Sequence, residues 1–130
     1  MDLNKLKTLV VDDMSSMRMM IKAVLRDSGI VAIKEAGDGA KALELLKQET
    51  FGLVICDWDM PSVSGLEVLR QVRSRDDLEG LPFIMLTANS GRDHVSQAID
   101  AGVSDYLAKP FRPNDLVNKI RRVVRQRPTV

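Results

Sequence analysis

The sequence has very little of two residue types on which many active sites depend. Its 130 residues include one cysteine, Cys56, and one histidine, His94. A single cysteine excludes an internal disulfide and a zinc site made from a cysteine cluster. A single histidine excludes reactions and metal sites that need two histidines. Carboxylates, hydroxyls and lysines are therefore the groups left to carry chemistry.

The chain also lacks a strong charge of one sign and a long apolar run. The formal net charge is +1, which gives no reason to expect nucleic acid or an anionic surface as a partner. No apolar run approaches the roughly 20 residues that a membrane-spanning helix needs. The apolar stretch near the start is too short for a signal peptide. We therefore expect no nucleic-acid binding, no membrane insertion and a cytoplasmic location.

The chain does contain a regular alternation of short apolar runs and amphipathic stretches. The short runs have the length of buried strands, and we predict strands at Thr8–Val11, Val31–Lys34, Leu53–Cys56, Phe83–Leu86 and Tyr106–Ala108. Between and after them, apolar residues recur with the helical period of 3.6 residues. The sequence therefore predicts five strand–helix units within one domain, residues 1–130.

Small polar residues, glycines and a proline mark the predicted helix boundaries. Ser, Asp and Asn favour helix N-caps, glycine favours the position after a helix, and proline suits the first turn. On this basis we predict N-caps at Ser15 or Ser16, Ser64 and Ser90, a turn at Asp38-Gly39, helix ends at Gly29 and Gly102, and a helix start at Pro113.

Strands separated by helices imply a parallel sheet with right-handed crossovers. Five such units favour an open, doubly wound α/β sheet, because an eight-unit barrel needs about 250 residues. In open sheets of this kind ligands bind beyond the carboxyl ends of the strands. The residues at those ends are therefore the candidates for function.

Polar groups collect at the carboxyl ends of four predicted strands. Asp12 and Asp13 follow the first strand, Asp57 the third, Thr87 the fourth and Lys109 the fifth. Carboxylates held together repel one another and need a cation to stay ionised. Oxygen ligands favour a hard ion, so the cluster indicates Mg²⁺ rather than Zn²⁺.

This set of residues suits phosphoryl transfer to a carboxylate. Asp57 is placed to be a nucleophile whose attack on a phosphoryl group gives an aspartyl phosphate. Mg²⁺ and Lys109 would neutralise the phosphoryl oxygens, and Thr87 could donate a hydrogen bond to one of them. Catalysis would then depend on positioning and electrostatics.

Four short motifs together resemble one known family. They are Val10–Asp13, Asp57–Pro61 with Gly65, Leu86–Ala88 and Tyr106–Phe111. In this order, each at the end of a different strand, they resemble the receiver domain of bacterial response regulators, and most of all its stand-alone chemotaxis regulators. The resemblance covers nearly the whole chain. It implies a flavodoxin-like (βα)5 sheet with strand order 2-1-3-4-5.

The resemblance also implies roles for individual residues at the site. Asp57 would accept a phosphoryl group from a histidine kinase. Mg²⁺ would be held by Asp12, Asp13 and Asp57 and by the backbone carbonyl of Asp59. The phosphoryl group would be bound by Thr87, Ala88 and Lys109, and the Lys109–Pro110 peptide would be cis.

A conformational switch and a set of partners follow from the same resemblance. Thr87 would move toward the phosphoryl group and Tyr106 would turn inward. The face formed by the fourth helix, the fifth strand and the fifth helix would then bind a protein target, such as the flagellar switch. A phosphatase is a further candidate partner, and a monomer is expected. Such a domain is no enzyme beyond catalysing its own phosphorylation and dephosphorylation.

The chain departs from the chemotaxis regulators at three positions near the site. Asp59 stands where they have Asn, Asn89 replaces an acid, and Met14 replaces an aromatic residue. Positions 59 and 89 border the path of the hydrolytic water in that family. We therefore hypothesise that Asp59 and Asn89 set an unusual lifetime for the phosphoryl group.

Three other interpretations remain open from the sequence. The domain could relay phosphate to a histidine phosphotransfer protein. Asp57-Trp58-Asp59 also resembles the Asp-x-Asp motif of haloacid-dehalogenase-type phosphatases, although there that motif lies on the first strand. Finally, the domain could be cut from a longer regulator, whereas we expect a stand-alone chain with no output domain.

Overall fold

The computed structural model describes residues 3–88 and 91–126, which form one sheet flanked by helices. After a short 3-10 helix at Leu3–Lys5, the five strands are β1 Thr8–Val11, β2 Ile33–Ala36, β3 Leu53–Asp57, β4 Phe83–Thr87 and β5 Asp105–Ala108. The five helices are α1 Ser15–Asp27, α2 Gly39–Gln48, α3 Gly65–Ser74, α4 Arg92–Asp100 and α5 Pro113–Gln126. The predicted alternation of strands and helices is confirmed.

All neighbouring strands are parallel, and their order in the sheet is β2-β1-β3-β4-β5. The implied strand order is therefore confirmed. In this order β1 and β3 are neighbours, with Val11 opposite Cys56. The residues that follow these two positions, Asp12 and Asp57, consequently lie side by side at the carboxyl edge of the sheet.

The core consists of two apolar clusters, one on each face of the sheet. Alternate strand residues point to opposite faces, so Leu9 and Val11 join one cluster while Val10 joins the other. The first cluster packs under α2, α3 and Ala98 of α4, and the second packs under α1 and α5. Every residue of β3 and β4 is buried, as expected for central strands covered on both faces.

The position of β2 differs from the prediction by two residues. The apolar run suggested Val31–Lys34, whereas β2 covers Ile33–Ala36. Val31 is 66% exposed. Because β2 is an edge strand with only Ala36 buried, its sequence carries little of the apolar signal that marks β3 and β4.

The predicted helix boundaries are partly correct. The Ser64 hydroxyl accepts the backbone N–H of Glu67 at the start of α3, and α5 begins at Pro113. The N-cap of α1 is Met14, without a side-chain cap, so the prediction of Ser15 or Ser16 is wrong. The N-cap of α4 is Gly91, and the predicted cap Ser90 lies outside the described residues.

The two predicted glycine stops and the predicted turn are confirmed. Gly29 and Gly102 follow α1 and α4 with φ angles of +101° and +90°, a conformation that favours glycine. Asp38 caps α2 by accepting the backbone N–H of Lys41 at 2.7 Å. Within residues 3–88 and 91–126, no helix has both the length and the apolar composition that crossing a bilayer requires.

Candidate functional site

Three carboxylates meet at the carboxyl edge of the sheet. Asp12 directly follows β1, Asp13 comes next, and Asp57 is the last residue of β3. Each offers one oxygen, and these oxygens all lie within 4.8 Å of one another. Asp12 is fully buried and Asp57 is 4% exposed, whereas Asp13 is exposed to solvent. The cluster is therefore buried on one side and open to solvent on the other.

Lys109 supplies the cation that faces this cluster. It follows β5, and its Nζ donates to Asp57 Oδ1 at 3.0 Å and to Asp12 Oδ2 at 3.3 Å. Its backbone N–H donates to the carbonyl of Thr87 at 2.8 Å, so the exits of β4 and β5 are fixed together. The peptide bond between Lys109 and Pro110 is cis, as the resemblance implies.

The electrostatics of the site are those of a crowded anionic cluster. Burial raises the pKa of Asp57, and the nearby Asp12 adds to that effect against the opposing hydrogen bond from Lys109. Burial acts to lower the pKa of Lys109, but its contacts with Asp57 and Asp12 outweigh burial and raise it. One ammonium therefore contacts two of the three carboxylates, and a divalent cation with oxygen ligands fits the remaining charge.

The orientation of Asp12 is fixed from two sides. Its Oδ1 accepts the backbone N–H of Met14 at 2.9 Å, and its Oδ2 faces Lys109. Arg18 Nη1 donates to its backbone carbonyl at 2.6 Å. The connection between β1 and α1 is thus built around this residue.

Gly65 allows α3 to start against the exit of β3. A Cβ at Gly65 would lie 2.2 Å from the carbonyl oxygen of Asp57 and 2.9 Å from Cα of Trp58. The Gly65 N–H donates to the Trp58 carbonyl, and the Trp58 N–H donates to the carbonyl of Leu86. Only a residue without a side chain fits this approach, which holds the segment after Asp57 in place.

Three of the remaining predicted phosphoryl-binding and rate-setting residues end or follow β3 and β4. Thr87, the last residue of β4, is 2% exposed, and Ala88 directly after it is exposed. Asp59 is exposed, and its backbone makes a hydrogen bond that lowers the pKa of Asp57. Asn89 lies outside the described residues. The roles of these four residues stay predictions.

Tyr106 lies in β5 opposite Met85. It is half-buried and packs against the core on the α2–α4 face of the sheet. Lys119 Nζ lies 5.8 Å from the centroid of its ring. Its predicted role as a switch likewise stays a prediction.

Sequence reasoning missed an ionic network beside the site. Arg18 Nε donates to Glu35 Oε1 at 3.0 Å, and Lys22 Nζ donates to Glu35 Oε2 at 2.7 Å. The hydrogen bond from Lys22 outweighs burial, and the pKa of Glu35 is lowered. The signal was present, because basic residues four apart share one face of a helix. Glu35, the penultimate residue of β2, is the acid that pairs with this face of α1.

His94, the single histidine, packs against Trp58 beside the site. His94 is half-buried, and its ring centroid lies 4.4 Å from that of Trp58, with 35° between the planes. Trp58 follows Asp57 and is 7% exposed. This contact joins α4 to the segment after β3, and neither residue had a local pattern that predicted it.

Comparison with known proteins agrees with this geometry. The model of the response regulator receiver domain matches residues 8–121. The chain belongs to this family. The receiver family consists of signalling domains rather than conventional enzymes, so a phosphatase of the haloacid-dehalogenase type is no longer a candidate.

The similar proteins within the receiver family include chemotaxis regulators. The chain is 41% identical over 122 residues to the chemotaxis protein CheY-3 of Vibrio cholerae, covering 93% of this chain and 94% of that one. The solved chemotaxis regulator CheY4 of Vibrio cholerae is 32% identical with a TM-score of 0.85, covering 91% and 98%. The receiver domain of the sensor histidine kinase PA1611 from Pseudomonas aeruginosa, which holds a magnesium ion in its active site cleft, is 27% identical with a TM-score of 0.84, covering 93% and 98%.

Proposed function

We propose that this receiver domain is switched by phosphorylation of Asp57, with a histidine kinase as the phosphodonor. The observation that carries the proposal is the position of Lys109, whose ammonium contacts both Asp57 and Asp12 at the edge of a three-carboxylate cluster. An ammonium in this place can neutralise a transferred phosphoryl group as well as the carboxylate that accepts it.

The proposed step is an in-line phosphoryl transfer. A carboxylate oxygen of Asp57 forms a bond to phosphorus while the phosphorus–nitrogen bond of the phosphohistidine breaks, and the released imidazole nitrogen takes up a proton. Lys109 stabilises the charge on the phosphoryl oxygens, and Thr87 and Ala88 bind them. The raised pKa of Asp57 disfavours the ionised form that must attack, and a cation bound nearby would restore that form.

Mg²⁺ is the proposed cofactor. Asp12, Asp13, Asp57 and the backbone carbonyl of Asp59 would hold it, and when bound it would shield the carboxylates from the incoming phosphoryl oxygens. Two observations support this assignment, namely the proximity of the three carboxylate oxygens and the magnesium ion in the receiver domain of PA1611. Asp59 and Asn89 are proposed to set the rate at which water removes the phosphoryl group.

The proposed output is a protein target in motility signalling, bound through the face of α4, β5 and α5. The names of the chemotaxis relatives support the pathway. The exposure of α4 supports its assignment to this binding face, since Ala98 is the only buried residue of α4 while Ile99 is 61% exposed. In this proposal the domain acts as a monomer in the cytoplasm.

A phosphorelay role is the second candidate. It is favoured by the similarity to the receiver domain of a sensor histidine kinase. In that role Asp57 would pass its phosphoryl group to a histidine phosphotransfer protein instead of using it to bind a target. Incubation of the phosphorylated domain with such a protein separates the two, because a relay loses its label to the partner and a target-binding switch does not.

The test is labelling from a phosphorylated histidine kinase in the presence of Mg²⁺. The wild type should take up one equivalent of acid-stable but base-labile phosphate, and Asp57→Asn should take up none. Asp76→Asn is a suitable control, because Asp76 is an exposed carboxylate in the loop between α3 and β4. Equal labelling of the wild type and Asp57→Asn would overturn the proposal.

A further inference from the structure

Asp105 forms a charged cluster at the start of β5. Its side chain is 13% exposed. Its Oδ1 accepts from Lys119 Nζ at 3.0 Å, and Arg122 Nη1 lies 4.0 Å from its Oδ2. The same Oδ1 accepts the backbone N–H of Tyr106 at 2.8 Å. This carboxylate therefore ties α5 to the strand that carries the tyrosine.

The ion pair places Lys119 over the ring of Tyr106. The ammonium lies 5.8 Å from the ring centroid, within the distance at which a cation is attracted to an aromatic face. Lys119 is thus held by Asp105 on one side and by the ring on the other. We call these three residues the Asp105–Lys119–Tyr106 latch.

We propose that Asp105 is a positioning residue for the switch. By holding Lys119 against the Tyr106 ring, Asp105 stabilises the ring in the position seen here and so lowers the affinity of the site for a phosphoryl group. The inference rests on the proposed function and on the predicted inward turn of Tyr106 when Asp57 is phosphorylated. It adds a residue and a contact to which neither the sequence motifs nor the family resemblance gives a role.

The physical argument is one of linkage. A contact that exists in only one of two conformations stabilises that conformation, and a ligand that favours the other must overcome it. Moving the Tyr106 ring breaks the contact with Lys119, so the latch opposes the phosphorylated conformation. A partly exposed ion pair and a cation–π contact each contribute little, so releasing the latch should tighten binding of a phosphoryl mimic by roughly two- to fivefold.

Asp105→Asn removes the charge with little change in shape. The amide oxygen of Asn can still accept the N–H of Tyr106, so the start of β5 keeps its hydrogen bond. Lys119 and Arg122, which now share one carboxylate, would both lose their anion and repel each other. Lys119 would then move away from the Tyr106 ring, and the latch would be released.

The experiment measures the dissociation constant of beryllium trifluoride in Mg²⁺ buffer through the fluorescence of Trp58, the single tryptophan. We expect tighter binding by Asp105→Asn and by Lys119→Met, which keeps the apolar stem and removes the ammonium. Because both changes open the same latch, the double variant should bind no more tightly than either single variant. Asp76→Asn, which removes an exposed carboxylate elsewhere, should bind like the wild type.

The outcomes separate this inference from the proposed function. If the wild type fails to bind beryllium trifluoride, the proposed function is wrong. If the wild type binds but Asp105→Asn and Lys119→Met bind equally well or less tightly, the latch is wrong, and additive gains in the double variant would exclude a shared latch. Urea unfolding verifies that each variant is folded, and Lys119→Met alone decides the matter if Asp105→Asn does not fold.

Discussion

The ammonium of Lys109 lies between Asp57 and Asp12, 3.0 Å from an oxygen of the first and 3.3 Å from an oxygen of the second. These residues come from three different strand ends and are separated by 52 and 97 positions along the chain. Their contact depends on the strand order, because β1 and β3 are neighbours and β4 links β3 to β5. The lysine is therefore both part of the proposed chemistry and a counter-charge for the folded state.

Lys109→Gln should destabilise the fold in the absence of divalent cations. The variant leaves two buried carboxylates without their ammonium, and losing one partner of such a group costs about 1–3 kcal/mol. Urea unfolding of the wild type and the variant measures this loss. Saturating Mg²⁺ should recover much of it, and a variant as stable as the wild type without Mg²⁺ would show that Lys109 is not a counter-charge.

Asp57→Asn should have the opposite effect on stability. Since the pKa of Asp57 is raised in the folded state, the folded protein holds this proton more tightly than the unfolded chain does. Stability from this group is therefore greatest at low pH and falls as the pH rises from 3.8, the ordinary value, through the raised pKa. Asn cannot ionise, so the variant avoids this loss.

We expect Asp57→Asn to be more stable than the wild type at pH 7 without Mg²⁺, by about 1 kcal/mol or less because water reaches the site. The difference should vanish below pH 3.8. Thermal unfolding between acidic and neutral pH in a metal-free buffer measures it. A variant that is less stable than the wild type at pH 7 would contradict the role of burial at this carboxylate.

Asp13→Asn should weaken Mg²⁺ binding with little effect on the fold. Asp13 is exposed, unlike Asp12, so removing its charge leaves no buried group unpaired. We expect a loss of Mg²⁺ affinity of roughly tenfold or more, because a charged ligand is replaced by a neutral one. Trp58 fluorescence measures the affinity.

Thermal unfolding provides an independent measure of the same binding. Mg²⁺ at ten times its dissociation constant should stabilise the wild type by about 1.4 kcal/mol, and the same concentration should stabilise Asp13→Asn far less. Asp93→Asn is the matched control, as Asp93 is exposed on α4. Equal Mg²⁺ affinity in Asp13→Asn and the wild type would remove Asp13 from the proposed ligands.

Gly65→Ala should be strongly destabilising. The new Cβ would lie 2.2 Å from the Asp57 carbonyl oxygen and 2.9 Å from Cα of Trp58, so backbone must move at the start of α3. We expect a loss of about 2–4 kcal/mol in the free energy of unfolding, together with weaker Mg²⁺ binding. In Gly80→Ala the added Cβ meets nothing within 4 Å, and this control should remain as stable as the wild type or gain slightly. Equal stability of Gly65→Ala and Gly80→Ala would refute the close approach of Gly65 to the end of β3.

The central part of the fold could be predicted because its signals are local. The apolar runs that form β1, β3 and β4 are buried on both faces. Asp57 and Thr87 end β3 and β4, and Asp12 and Lys109 directly follow β1 and β5. The strand order came from the family resemblance, because periodicity identifies strands without saying which ones are neighbours. The grouping of Asp12, Asp13, Asp57 and Lys109 at one edge followed from the parallel sheet alone.

The errors occurred where local pattern and tertiary position diverge. β2 is an edge strand, so its half-exposed residues gave no apolar run, and Val31 was assigned to it wrongly. The N-cap of α1 is Met14, which has no side-chain cap, because the Asp12 carboxylate holds the N–H of Met14 and the helix begins at the first predicted serine. The contact between Trp58 and His94 joins residues 36 positions apart (94 minus 58), and no spacing rule connects them.

The fixed orientation of Asp12 affects how quickly the site could bind and release the proposed Mg²⁺. Both of its carboxylate oxygens and its carbonyl already have partners in the protein, so the proposed Mg²⁺ would meet a ligand that is preorganised rather than one that must be ordered first. The connection between β1 and α1 need not change its conformation each time an ion binds or leaves. In the proposed function, the rate of Mg²⁺ binding would then be limited by the ion rather than by reorganisation of this loop.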